Sequence, residues 1–174
     1  MTSENQVHAH RQQADRDVVC HVITVSDTRT EETDKSGKKI KELLTANGHS
    51  VARYEIVPDE KVSIQQAVLK GIADSEVEAV IINGGTGIAE RDVTIEAVTP
   101  LFEKELPGFG EIFRYLSYAE DIGSAAIMSR AAAGVAGRTV IFSVPGSTGA
   151  VTLAMNKLIL QEAGHIISEL NKDQ

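Results

Sequence analysis

Four strand-length runs set the architecture of this chain. Val18 to Val25, Ser50 to Val57, Glu78 to Ile82 and Thr139 to Val144 are rich in β-branched residues, and each stops at a turn signal. Helical spacings separate them. Ile40, Leu43 and Leu44 share a face between Asp34-Lys35-Ser36-Gly37 and a closing Asn47-Gly48. Ile64, Ala67, Val68, Gly71 and Ile72 define a second helix, and Val93, Ala97, Val98 and Leu101 a third. After a break at Leu106-Pro107-Gly108, Phe109, Phe113, Tyr115 and Leu116 predict another, and Ser129 to Ala136 reads as a helix of small residues. Val151, Met155, Leu158, Ile159, Ile166, Ile167 and Leu170 mark the last. Strands alternating with helices predict an α/β fold, a three-layer α/β/α sandwich around a mainly parallel sheet. The chain of 174 residues divides into a loose polar tail over 1–17 and one domain over 18–174.

In a parallel sheet, ligands bind beyond the carboxyl ends of the strands. Four loops with polar or glycine chemistry fall there: Ser26-Asp27, Pro58-Asp59, Gly84-Gly85-Thr86-Gly87 and Pro145-Gly146-Ser147. A strand running into a glycine turn and then a helix presents backbone N–H groups to a phosphate. The turn is not a P-loop, because Ile88 follows Gly87 where Lys is required. It is not a dinucleotide fingerprint either, because the third glycine falls on Glu90. Asp59 and Asp92 each sit just past a strand or turn. Two carboxylates repel a phosphate unless a cation intervenes, so the pair points to Mg²⁺. Plainer roles stand beside these: Asp92 as a helix N-cap, Asp59 and Asp27 as turn residues, Arg91 as a solvated cation. Ser147 and Thr148 are either an N-cap or a second anion pocket.

The formal net charge is −8, which argues against a nucleic-acid binder. A polyphosphate ligand would be held by backbone amides, metal and a few local cations. No apolar run approaches the ~20 residues of a membrane-spanning helix, and the tail lacks the apolar stretch of a signal peptide. The single cysteine, Cys20, forms no internal disulfide and reads as a small buried residue, which suits a reducing cytoplasm. The histidines show no metal-ligand spacing, so neither a zinc enzyme nor a Ser-His hydrolase is expected.

Several motifs occur together in order: Thr24-Val25-Ser26-Asp27, Asp34-Lys35-Ser36-Gly37, Pro58-Asp59, Gly84-Gly85-Thr86-Gly87 with Arg91-Asp92-Val93-Thr94, Pro107-Gly108-Phe109, Ser129-Arg130-Ala131 and Val144-Pro145-Gly146-Ser147. The set resembles the MoaB/MogA type of molybdenum cofactor biosynthesis protein, the molybdopterin adenylyltransferase family, with the Phe113 to Ser124 segment closer to the MoaB branch. The resemblance implies that ATP and molybdopterin are substrates, that Mg²⁺ assists, and that adenylylated molybdopterin and pyrophosphate are products. It implies Asp59 and Asp92 as the essential acids. Gly84, Gly85, Thr86, Gly87, Pro145, Gly146 and Ser147 would line the adenylate, with Ser26 and Asp27 on the same loop edge. Ser117, Ser129 and Arg130 would stand on the pterin side. It also implies a homo-oligomer, a trimer or a hexamer; independently, the aromatic residues between Pro107 and Ala119 either supply such an interface or complete the core of the single chain. Hand-over to other molybdenum cofactor enzymes would follow. The competing expectations are a non-catalytic molybdopterin-binding scaffold and a pyrophosphatase-like hydrolase on the same fold.

Overall fold

A computed structural model describes residues 16–173; the expected tail over 1–17 therefore lies almost wholly outside the described residues. Six strands form one sheet in the order β2-β1-β3-β6-β5-β4. They are β1 (Val19–Val25), β2 (Ser50–Val57), β3 (Ala79–Asn83), β4 (Lys104–Glu105), β5 (Ala132–Ala136) and β6 (Thr139–Val144). The four strands expected from sequence pair in parallel, with β1 flanked by β2 and β3, and β3 by β6. The last two strands on one side, β5 and the edge strand β4, run antiparallel to their neighbours.

Helices cover both faces, as the strand periodicity demands. Cys20, Val22, Ile81, Val140 and Phe142 point to one face, where α1 (Lys35–Ala46), α4 (Pro107–Glu120), α5 (Thr148–Ala154) and α6 (Leu160–Leu170) pack with Ile40, Phe113, Val151 and Ile167. Ile23, Val25, Val80, Ile82 and Ile141 point to the other, against α2 (Lys61–Ala73) and α3 (Thr94–Val98) through Ile64, Val68, Ala97 and Val98. One turn of π-helix, Met155–Ile159, joins α5 to α6. The chain leaves β1 toward β2 on one side and leaves β3 toward β6 on the other. The carboxyl ends of β1 and β3 therefore bound the crevice where this topology binds ligands.

A buried polar network pins that edge. Asp34, only 1% exposed, caps α1 by accepting from the Gly37 N–H at 2.9 Å. Its other carboxylate oxygen accepts from the hydroxyls of Thr24 and Tyr54, each at 2.6 Å. Burial and the bond to Asp34 push the Tyr54 phenol well above its ordinary range. In the β1–β3 register Thr24 lies opposite Asn83. Asn83 donates from Nδ2 to Thr24 Oγ1 at 2.9 Å and sits directly before the glycine turn.

Two sequence expectations need correction, and one strand has no counterpart among them. Ser129 to Ala136 is not a helix. Its second half is β5, which turns through Gly137 (φ +58°) into β6 as a hairpin. Alanine favours helix in isolation, but tertiary packing overrides it. The Phe102 ring lies over Gly134, leaving no room for a side chain there. The Gly137-Arg138 pair between runs was the missed hairpin signal. The short charged edge strand β4 was also missed; two residues are too few for a periodicity. The stripe from Val93 to Leu101 is a five-residue helix followed by a 3₁₀ turn at Thr99–Leu101, not one longer helix. Cys20 matches expectation: it is buried, its thiol is pushed up to about 12 by burial and by Glu78, and it is inert as a nucleophile.

Replacing Asp34 by Ala removes a helix cap and leaves the Thr24 and Tyr54 hydroxyls without their acceptor. The expected loss is about 3 kcal/mol of folding stability, read from urea unfolding midpoints at unchanged m-value.

Candidate functional site

The four polar loops converge at the carboxyl edge and enclose two adjoining cavities. The smaller, about 160 Å³, lies among Ser26, Asp27, Asp59, Arg91 and Asp92. The larger, about 410 Å³, is lined by the glycine turn, Pro145 and Gly146 together with Ile122, Ala125, Met128, Ser129 and Arg130. Gly85 and Asp92 line both.

The glycine turn is anchored to β6 by the Gly84 N–H, which donates to Val144 O at 3.1 Å, and beyond that it is held by its carbonyls. Thr94 donates from Oγ1 to Gly84 O at 2.8 Å and from N to Gly85 O at 2.9 Å. Arg130 donates to Thr86 O at 2.9 Å and to Gly87 O at 2.8 Å. The N–H groups of Gly85, Thr86, Gly87 and Ile88 have no protein acceptor among the described residues. In a planar peptide the N–H points opposite the C=O. Turning four carbonyls inward therefore turns the four amides that follow them outward. Gly84 (φ +97°) and Gly85 (φ +67°) make this path possible. A Cβ at Gly85 would collide with Thr94 Oγ1, and one at Gly84 with Val25 O.

The acids occupy the small cavity. Asp27 and Asp59 clasp each other: the Asp27 N–H donates to Asp59 Oδ2 at 3.1 Å, and the Asp59 N–H to Asp27 Oδ1 at 3.0 Å. The clasp ties the loop after β1 to the loop after β2 and leaves one oxygen of each carboxylate unused by it. Burial, then the charge of Asp27, holds the Asp59 carboxyl above the usual range, opposed in part by Arg91. Asp92 is not a helix N-cap, because Val93 occupies that position. Its Oδ2 instead accepts from the Ala89 N–H at 3.0 Å, closing the loop after the glycine turn. No group of three or more His, Cys, Asp or Glu among the described residues is placed to hold a metal by itself. Mg²⁺ needs only one or two carboxylates where phosphate oxygens complete its shell, and the acids lining this cavity fit that use.

The remaining residues divide. Ser26 spends its hydroxyl on the N–H groups of Thr28 and Arg29 and so shapes its own loop. Gly146 lies against the backbone of Gly84, and its carbonyl accepts from Ser36 Oγ at 2.6 Å. Ser147 is the N-cap of α5, accepting from the Ala150 N–H at 3.2 Å. Ser129 and Arg130 line the larger cavity. Ser117 is buried in α4 and lines neither cavity. The aromatics of α4 separate into Phe109 and Phe113, packed against the core, and Tyr115 and Tyr118, exposed. Thr94, although part of a quoted motif, had no site role assigned from sequence, and neither had Glu96, Ile122, Ala125 or Met128.

A family model described as "Probable molybdopterin binding domain" matches residues 21–165. The chain belongs to this family. It is 64% identical to molybdenum cofactor biosynthesis protein B of Bacillus subtilis (strain 168), over 97% of this chain and 99% of that protein. A crystal structure of a molybdenum cofactor biosynthesis protein B superposes with a TM-score of 0.89 at 61% identity, covering 91% of this chain and 98% of the other. The tungsten cofactor synthesizing protein MoaB from Pyrococcus furiosus superposes at 0.81 with 41% identity, over 90% and 99%. The chain is thus a MoaB/MogA-type protein of molybdenum cofactor biosynthesis. No helix among its described residues is long and apolar enough to cross a membrane.

The Asp27–Asp59 clasp makes a titration prediction. A raised native pKa means Asp59 keeps its proton to a higher pH than a free aspartate. Asp27→Asn retains an acceptor for the Asp59 N–H but removes the repelling charge. The Asp59 pKa should fall toward the ordinary aspartate range, read by carboxyl ¹³C NMR titrations of the two proteins. Any function that needs the Asp59 carboxylate should then persist to correspondingly lower pH.

Proposed function

We propose that this chain transfers the adenylyl group of ATP to molybdopterin. An oxygen of molybdopterin's terminal phosphate attacks the α-phosphorus of ATP, the bond to the β-phosphate oxygen breaks, and pyrophosphate leaves. The observation that carries this reading is the run of four amides, Gly85 to Ile88, that have no protein acceptor among the described residues, in the turn that lies beside Asp59 and Asp92. Such transfer needs little covalent chemistry from the protein. It needs in-line positioning and donors already aimed at the charge that develops.

The amides would bind phosphoryl oxygens without reorganising, because their carbonyls are already satisfied. Asp59 and Asp92 would hold Mg²⁺, which when bound neutralises phosphate charge and orients the leaving group. Arg91 supplies a cation at the mouth of the small cavity. The larger cavity, with apolar side chains facing a Gly-Pro wall, has the size and lining for a flat heterocycle. The exposed Tyr115 and Tyr118 support a homo-oligomer with threefold symmetry, of which the hexamer is the form favoured here.

Purified protein, molybdopterin, ATP and Mg²⁺ should release pyrophosphate and yield adenylyl-molybdopterin. Asp92→Asn and Asp59→Asn should each lower turnover by about two orders of magnitude while the circular dichroism spectrum stays unchanged. Gly85→Val should abolish nucleotide binding through steric conflict at the turn. Molybdopterin binding without pyrophosphate release would support the scaffold reading instead. Pyrophosphate release that ignores molybdopterin would identify a hydrolase. Sedimentation equilibrium should give six times the 18.7 kDa of one chain; a threefold mass leaves the trimer, and a single mass removes the oligomer.

A further inference from the structure

Arg130 precedes β5, and Glu96 lies in α3, 34 residues earlier in the chain. A guanidinium has two bidentate edges, Nη1/Nη2 and Nε/Nη2. Glu96 takes the first: its carboxylate accepts from Nη1 and, at 3.3 Å, from Nη2. Backbone carbonyls take the second. Nε donates to Thr86 O at 2.9 Å and Gly87 O at 3.2 Å, and Nη2 donates to Gly87 O at 2.8 Å and Asp92 O at 3.1 Å. Neither edge is left to grip a phosphate.

We propose that Glu96 and Arg130 form a latch that holds the glycine turn and Asp92 in their anion-binding geometry, so that Arg130 positions the site and does not itself bind the substrate. The inference rests on the adenylyl-transfer reading for its effect on ATP, and on the loop geometry alone for its effect on structure. By turning the carbonyls of Thr86 and Gly87 inward, the guanidinium aims the N–H groups of Gly87 and Ile88 outward. By holding Asp92 O, it ties the acid-bearing end of the loop to the same point. Glu96 fixes the plane of the guanidinium. The bonds hold the Glu96 carboxyl below its ordinary range, so the latch is charged at neutral pH. Lysine would keep the charge at position 130 but not the planar fork that reaches three carbonyls at once.

Two measurements on Arg130→Lys, Glu96→Gln and the double variant test this. The first is amide exchange by ¹⁵N NMR at Ala89, Asp92 and Thr94, whose N–H groups all bond within the loop. Exchange there should speed up about tenfold in each single variant, while Ile81 in the core of β3 and the thermal midpoint hardly change. The second is isothermal titration of ATP with Mg²⁺. Each single variant should bind about tenfold more weakly, and the double variant no more weakly than the worse single one, because the pair acts as one unit. Unchanged loop exchange in both single variants overturns the latch, whatever happens to activity. Weak ATP binding in Arg130→Lys, with normal loop exchange and normal binding in Glu96→Gln, also overturns it and makes Arg130 a direct phosphate ligand. If the unaltered protein binds no ATP, the adenylyl-transfer reading fails and the exchange measurement alone decides the latch.

Discussion

Asp34 is a charged group buried to 1% exposure, and the carboxyl edge of the sheet is organised around satisfying it. Removing a carboxylate from water costs several kcal/mol unless donors replace its hydration. Here a backbone N–H of α1 and the hydroxyls of β1 and β2 replace it. Each donor is useful only where it is, so the charge dictates the relative placement of three elements. Thr24 passes the constraint to Asn83 and hence to the residue before the glycine turn. Ser36, one turn into α1, extends it to Gly146. Three of the four site loops are therefore tied to one buried polar network at the strand ends.

The glycine turn obeys a second accounting rule. Every peptide unit carries a donor and an acceptor pointing opposite ways. Thr94 and Arg130 claim the acceptors of residues 84–87, and the following donors face outward without protein partners. An anion site of this kind is polar by backbone, not by side chain. That resolves an apparent conflict with the acidic character of the chain. A net charge of −8 would repel a polyphosphate at long range. Under the adenylyl-transfer proposal, amides and a cation between the acids would act at short range, inside a Debye length of about 8 Å, where distant surface charge is screened.

The arrangement also separates residues that shape the site from those that meet a ligand. Ser26 and Ser147 spend their hydroxyls on loop or helix backbone, and Arg130 divides its donors between loop carbonyls and Glu96. Asp27 and Asp59 each use one oxygen to clasp the other's loop and keep the second oxygen outside the clasp. A polar residue in a site motif is thus as often a brace as a contact. Only the hydrogen-bond partners distinguish the two.

Much of this was legible in the chain itself. Runs of Val and Ile closed by turns specify strands, and helical spacing between them makes the sheet parallel, because a parallel connection needs a crossover. The four parallel strands, the helices on both faces, the loop edge, the positive-φ role of Gly84 and Gly85, and the acids of the small cavity follow from local pattern. What escaped depends on contacts between segments distant in sequence. The Ala- and Gly-rich stretch before Gly137 is a strand because β6 pairs with it and Phe102 covers it. Glu96 matters because Arg130 arrives beside it from across the fold. Ser117, expected on the pterin side, is instead buried in its helix. Local sequence records propensity and spacing, which set elements and turns. Which carbonyl an arginine reaches, and which face of a helix meets a cavity, is decided only when the elements pack.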